Sequence, residues 1–152
     1  MHDTIRMYYL NSCIAYWHTD QEKLSTIRRQ VFIEEQKVPE ALEWDADDAS
    51  ATHFLVTYDV DAIAHDLIAT ARLKPDGQIG RMAVLAKYRN HGIGSQLLRF
   101  VLQTAANQNH KKIYLHAQTT AIHFYEKHGF EAQGEIFYEA DIPHRNMRLN
   151  TY

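Results

Sequence analysis

Apolar residues recur at three- and four-residue intervals in two long stretches of the chain, and both patterns predict helices. Over residues 22–36, Leu24, Ile27, Arg28 and Val31 share these spacings. From Gly92 to about Asn109, Ile93, Leu97, Leu98, Val101, Leu102 and Ala105 form one stripe. A third helix is signalled by its ends, in "TTAIHFYEKHGF". Thr119 or Thr120 can cap its start, Gly129 can take a left-handed closing position, and Phe130 can then pack back on the last turn.

The remaining patterns are short and rich in β-formers. "HFLVTY" (53–58) and "HDLIATARL" (65–73) read as a hairpin about an acidic turn. "QIGRMAV" (78–84) follows the turn "KPDG" and reads as a central strand. In "KIYLHA" (112–117), Ile113, Leu115 and Ala117 lie on one side, with Tyr114 and His116 on the other. Two tail strands, near 133–139 and 145–150, flank the turn "DIPH". The N-terminal segment can carry a first strand, with residues 1–12 as a loosely constrained extension. Strand 78–84, helix 92–109 and strand 112–117 make a β-α-β unit, whose strands run parallel. The expected fold class is α+β (mixed α/β). Its sheet is twisted and mostly antiparallel, with one central parallel pair and helices on both faces, in a single domain over 1–152.

Composition narrows the function classes. Sixteen basic and nineteen acidic residues give a formal net charge of -3, which argues against nucleic acid as a partner. No apolar run approaches the roughly 20 residues that cross a membrane, and no signal peptide is read at the N-terminus. The single cysteine, Cys13, fits a reducing, cytoplasmic setting. Residues 34–48, "EEQKVPEALEWDADD", hold seven acids and one lysine. They read either as a solvated connector or as a substrate-facing wall whose field would draw cationic amines.

The chemistry centres on "YRNHGIGSQLL" (88–98). A helix N-terminus offers unpaired N–H groups and about half a positive charge, which suits phosphate. Gly92 and Gly94 expose bare backbone, and Arg89 adds a cation. A dinucleotide loop is excluded because Leu97 stands where its third glycine belongs; a nucleoside-triphosphate loop is excluded by the absence of G-K-[ST]. Alone, two glycines before a helix are also compatible with a plain tight turn.

Arg89-x-x-Gly92-x-Gly94, directly after a strand, resembles the acetyl-CoA pyrophosphate loop of the GNAT N-acetyltransferases. "MAVLAKYRNHGIGSQLL" and "AIHFYEKHGF" resemble that family's central strand, loop and following helix. "VFIEEQKVP" and "YEADIPHRNM" resemble its ElaA-like subfamily. The resemblance implies that acetyl-CoA is a co-substrate, held by the strand 82–84 and the loop 90–95. Backbone groups of Met82, Ala83 and Val84 would pair with the pantetheine arm. Arg89 and the N–H groups of Asn90, His91, Gly92, Ile93, Gly94 and Ser95 would meet the pyrophosphate. Tyr125 would lie near the sulfur. Gln118 stands where many members have asparagine, and its amide could still reach the cofactor.

Acetyl transfer needs a neutral amine, a donor for the developing negative charge, and a proton for the leaving thiolate. Tyr125 fits the last role. The strand glutamate frequent in the family is missing, since that region reads Gly80-Arg81-Met82. Glu35, His144 and His116 are the candidates for the base, with a water chain as the alternative. No metal is expected: H-E-x-x-H is absent, and His123 and His128 are five apart. The leading reading is an N-acetyltransferase acting on the primary amine of a small molecule. The alternatives are a non-catalytic acyl-CoA-binding regulatory module and a protein lysine or N-terminal acetyltransferase. The expected partners are that small amine and, in a homodimer, a second copy of the chain.

Overall fold

The computed structural model describes residues 5–61, 63 and 65–150. A seven-stranded sheet runs in the order β1-β2-β3-β4-β5-β7-β6. Its strands are β1 (Leu10–Ala15), β2 (Thr52–Asp59), β3 (His65–Leu73), β4 (Gln78–Val84), β5 (Tyr114–Gln118), β6 (Phe130–Glu139) and β7 (Ile142–Leu149). Only β4 and β5 run parallel; the other neighbours are antiparallel. The mixed sheet and its parallel pair are those expected.

One face carries α3 (Ile93–Asn107) and α4 (Ile122–Glu126). Here Leu97, Leu98 and Val101 are fully buried against Phe54, Ile68, Ile79, Leu115 and Met147. Each such side chain contributes roughly 1.5–3 kcal/mol. The opposite face carries α1 (Trp17–Arg28), which continues as a wider π-helical turn over Arg29–Glu35. Leu24, Ile27 and Val31 pack there on Ala15, Leu55 and Ala83, so this helix covers β1 to β4. α2 (Glu40–Glu43) follows as a single turn.

Several boundaries depart from the sequence pattern, each for a local reason. α1 begins five residues before the predicted start because one tertiary and one local contact hold its first turn. Trp17 stacks on His53 at 5.1 Å, and the Asp20 carboxylate accepts from the Tyr16 N–H at 2.9 Å. Neither Thr119 nor Thr120 caps α4: residues 119–121 form a tight 3₁₀ turn first, with no side-chain cap bond. Gly129 does take the left-handed conformation, at φ 89°. Phe130 does pack back, 5.8 Å from the Tyr125 ring. The last turn is not "DIPH". The β6–β7 reversal is made by Ala140 and Asp141 at φ 50° and 61°, the two-residue geometry that matches strand twist. Ile142, Pro143 and His144 are therefore already strand.

Candidate active site

The site begins with a fault in β4. Thr70 pairs with Ala83 and Arg72 with Gly80, so two β4 residues oppose the single residue Ala71. Arg81 takes up the extra length at φ 47°. Such a bulge bends its strand and re-aims it. On the other side, β4 pairs with β5 only at Gln78–Tyr114 and Ile79–Leu115. Past that point the two strands part, and Arg81 to Val84 face a split in the sheet.

After β4 a 3₁₀ turn (Ala86–Tyr88) leads to Arg89, Asn90 at φ 67° and Gly92 at φ 77°, which opens α3. Among the described residues, the N–H groups of Asn90 to Ser95 have no backbone or side-chain acceptor. Six consecutive donors thus sit at the positive end of a 15-residue helix. The two glycines do different things. A Cβ on Gly92 would meet open space, and its positive φ is the reason for glycine there. A Cβ on Gly94 would lie 3.5 Å from Phe124, an ordinary contact, so packing between α3 and α4 does not itself demand glycine there.

Arg89 is also otherwise engaged. Its terminal nitrogens grip both Glu35 oxygens at 2.6 and 2.7 Å, and its Nε donates to the Val84 carbonyl at 2.9 Å. The guanidinium therefore ties the π-helical turn to the end of β4, using three of its five N–H donors. The hydrogen bond from Arg89 holds the Glu35 carboxyl below its ordinary value against a small opposing effect of burial. A carboxylate so paired is a poor proton acceptor.

Tyr125 lies on the α3–α4 face, packed against Phe124 and Phe130, with its hydroxyl 3.7 Å from Met82 Sδ. Loss of solvation pushes its phenol up to about 12. It therefore stays protonated, as a donor must. Nearby, His128 Nε2 bonds Ser95 Oγ at 3.0 Å, fixing α4 to the first turn of α3.

The other face of the split is built by β5, β7 and β6. Leu115, Ala117 and Met147 point to the α3 core, so His116, Gln118 and His144 point the opposite way. Counting forward from Ile79–Leu115 and allowing for the bulge sets Gln118 level with Ala83, and His144 is the cross-strand partner of Gln118. His144 is 8% exposed. Its Nδ1 lies 2.6 Å from the Ile142 carbonyl. A carbonyl can only accept, so Nδ1 carries a proton, and in the neutral ring the lone pair is on Nε2. His116 is held similarly by Glu139 at 2.7 Å but is paired with Asn146, two residues further from the split. Gln118 does not face the cofactor side: its amide meets that of Gln36 at 2.8 Å. Gln36 stands within the motif "EEQ", yet the sequence assigned it no role.

The acidic run is laced with ion pairs, some buried and some exposed. Glu43 and Asp48 are buried beside Arg28, with Arg72 on Asp48 and Arg81 on Glu43. Asp45 meets Arg72 and Arg81, Asp47 meets Lys74, Glu40 meets Arg29, and Glu35 meets Arg89. Among the described residues only Glu34 of the seven has no ion pair. This pairing weakens the field that was expected to attract cationic amines.

Residues 16–151 match the acetyltransferase (GNAT) domain family. The chain belongs to the GNAT family. It is 33% identical over 123 residues to the uncharacterised N-acetyltransferase YjcF of Bacillus subtilis, covering 80% of this chain and 86% of that protein. Its fold superposes on Escherichia coli ElaA with a TM-score of 0.79 at 28% identity, covering 91% and 98% of the two chains. An acyl-CoA N-acyltransferase from Pseudomonas aeruginosa gives a TM-score of 0.78 at 30% identity, covering 91% and 98%. As a GNAT protein the chain is an N-acetyltransferase, and the family's acetyl donor is acetyl-CoA. Among the described residues no helix is long and apolar enough to cross a membrane.

The GNAT cofactor fits what is present: six orphan N–H donors, open space at Gly92, and a strand edge free of a neighbour. Binding it should raise the melting temperature, because a ligand selective for the native state stabilises by mass action. Gly92→Asp should remove that rise, placing a carboxylate where phosphate belongs. Gly92→Asn tolerates the same left-handed backbone and should keep most of it. Thermal melts of the three proteins with and without acetyl-CoA make the comparison; equal shifts in all three would refute the loop assignment.

Proposed function

We propose that this GNAT protein transfers the acetyl group of acetyl-CoA to the primary amine of a small molecule by direct attack. The observation that carries the reading is the placement of two complementary groups about the split in the sheet. A protonated phenol, Tyr125, stands on one face beside Met82 of β4, and the His144 imidazole stands on the other as the cross-strand partner of Gln118, with Nδ1 turned to the Ile142 carbonyl. Bound acetyl-CoA supplies the acetyl group as a thioester with a thiolate leaving group. The N–H groups of residues 90–95 hold the pyrophosphate, and the free edge of β4 at Met82 to Val84 takes the pantetheine arm as an added strand. Its Val84 carbonyl is shared with Arg89.

The amine approaches from the β5–β7 face, where His144 Nε2 accepts its proton. Tyr125 donates to the departing sulfur from the α4 side. Glu35 is assigned a positioning role through Arg89 rather than that of base. Small acceptors are favoured because the Gln36–Gln118 contact spans the mouth between the π-helical turn and β5, narrowing the opening.

The pH dependence tests these roles. With the phenol raised to about 12, kcat/KM should hold level up to about pH 10, with no alkaline loss from Tyr125. His144→Ala should lower kcat/KM by roughly 10²-fold. An alkaline fall below pH 9, or a wild-type kcat/KM in His144→Ala, would refute the assignment of these two groups.

A further inference from the structure

Two consecutive residues at the end of the π-helical turn reach opposite walls of the split. Glu35 holds Arg89, and Arg89 holds the Val84 carbonyl at the end of β4. Gln36 holds Gln118 at the end of β5, with amide contacts of 2.8 and 3.5 Å. Beside them, Asn146 Oδ1 is buried with no hydrogen-bond partner among the described residues. It stands on the same face as His144 and Gln118, two residues along β7. Phe137 lies between the two histidines, stacked on His144 at 6.0 Å and edge-on to His116 at 5.0 Å. The carboxylates nearest this face, Glu35 and Glu139, are each held by a neighbouring side chain.

The geometry points to the Gln36–Gln118 amide pair, with Asn146, as the element that selects the acceptor. The acceptors it fits are primary amines carrying a neutral hydrogen-bonding group, such as a carboxamide, on an apolar or aromatic body. The inference rests on the β5–β7 face being the acceptor side, as proposed above. A primary amide has two N–H donors and an acceptor oxygen with two lone pairs. Pairing Gln36 with Gln118 leaves each of them capacity for a further bond, which an amide on the ligand can complement in both senses. Asn146 Oδ1 adds an acceptor whose burial without a partner is costly until one arrives. Phe137 offers a flat apolar surface to the rest of the molecule. Glu35 and Glu139, already engaged, are poor replacements for the hydration a polycation would lose.

The test uses L-phenylalaninamide, phenethylamine, which lacks only the carboxamide, and spermidine. Wild type is compared with Gln36→Met and Gln118→Met, which keep the side-chain volume and remove the amide. Each protein is measured by thiol release with acetyl-CoA and by calorimetric binding of the amine in the presence of CoA. Retention of the acetyl-CoA melting shift shows that the variants fold. Comparing each amine with itself across the variants cancels the differing basicity of the amines. Both variants should lose at least about 10-fold in affinity or kcat/KM for L-phenylalaninamide, expressed in KM, and less than about 3-fold for phenethylamine. Equal losses for the two amines, or a wild-type preference for spermidine, would overturn the proposal. If no amine releases thiol, binding decides. Amide binding that depends on Gln36 sustains the recognition element while the transfer reading fails; no amide binding overturns both.

Discussion

Replacing Tyr125 by phenylalanine is expected to lower kcat by about 10²-fold or more while leaving acetyl-CoA affinity nearly unchanged. The ring packs against Phe124 and Phe130 and would remain in place. The hydroxyl meets only the Met82 sulfur at 3.7 Å, so its loss opens no buried hydrogen bond of consequence. The change therefore removes a proton donor without loosening the core. Thermal melts should report a small difference, and steady-state kinetics a large one. A variant as active as wild type would return Tyr125 to the role of a core aromatic.

The second large effect is on stability. Arg28 is 1% exposed and donates to Glu43 Oε2, Asp48 Oδ1 and the Glu43 carbonyl, each at 2.7 Å. Its guanidinium also lies 5.0 Å from the Trp44 ring and 5.6 Å from that of Trp17. Arg28→Met keeps the packing volume but strips a buried pair of carboxylates of their central cation. Removing one partner from such a cluster costs about 3–5 kcal/mol. For a chain of this size that is a fall of the order of 10 °C in Tm. Arg29→Met removes the neighbouring but exposed pair with Glu40 and should leave Tm nearly unchanged.

Acid should attack the same cluster. Burial alone would raise the Asp48 carboxyl, but hydrogen bonds from Arg28 and Arg72 outweigh it and hold the group below its ordinary value. A depressed carboxyl contributes stability that is present above the ordinary carboxylate range and lost as pH falls below about 4. Glu43 has the opposite sign. Burial raises it despite Arg81 and Arg28, so its protonation on acidification offsets part of that loss. Melts across the acid range in wild type and Asp48→Asn would separate the two contributions.

The parts of the fold written in periodic pattern were legible from the sequence. The stripe of α3 and the strict alternation of β5 each bury one face, and the β-rich runs of β2 and β3 are buried on both. Pattern alone fixes such elements. Arg28 was legible too, as a member of an apolar stripe, and the structure puts it in the core at that place. Its partners were not. Glu43 and Asp48 lie in a run of charge that sequence reading takes for a solvated face, and only the tertiary return of the chain over α1 buries them. The β4 bulge was equally hidden, because a left-handed arginine at 81 carries no turn signature. The left-handed backbone at Gly92, φ 77°, was hidden as well, since the glycine pair was read only as bare backbone. The clasp of Glu35 on Arg89 and of Gln36 on Gln118 joins residues 54 and 82 positions apart, which no local pattern reports.

The most direct test of transfer to a small amine is the initial rate of thiol release from acetyl-CoA across a panel of small primary amines, with mass analysis of the products. The account predicts saturable, amine-dependent release with at least one of them, each thiol matched by one acetylated amine, and a rate about 10²-fold lower in Tyr125→Phe. Thiol release that no small amine accelerates, in protein whose melting temperature acetyl-CoA still raises, would contradict it.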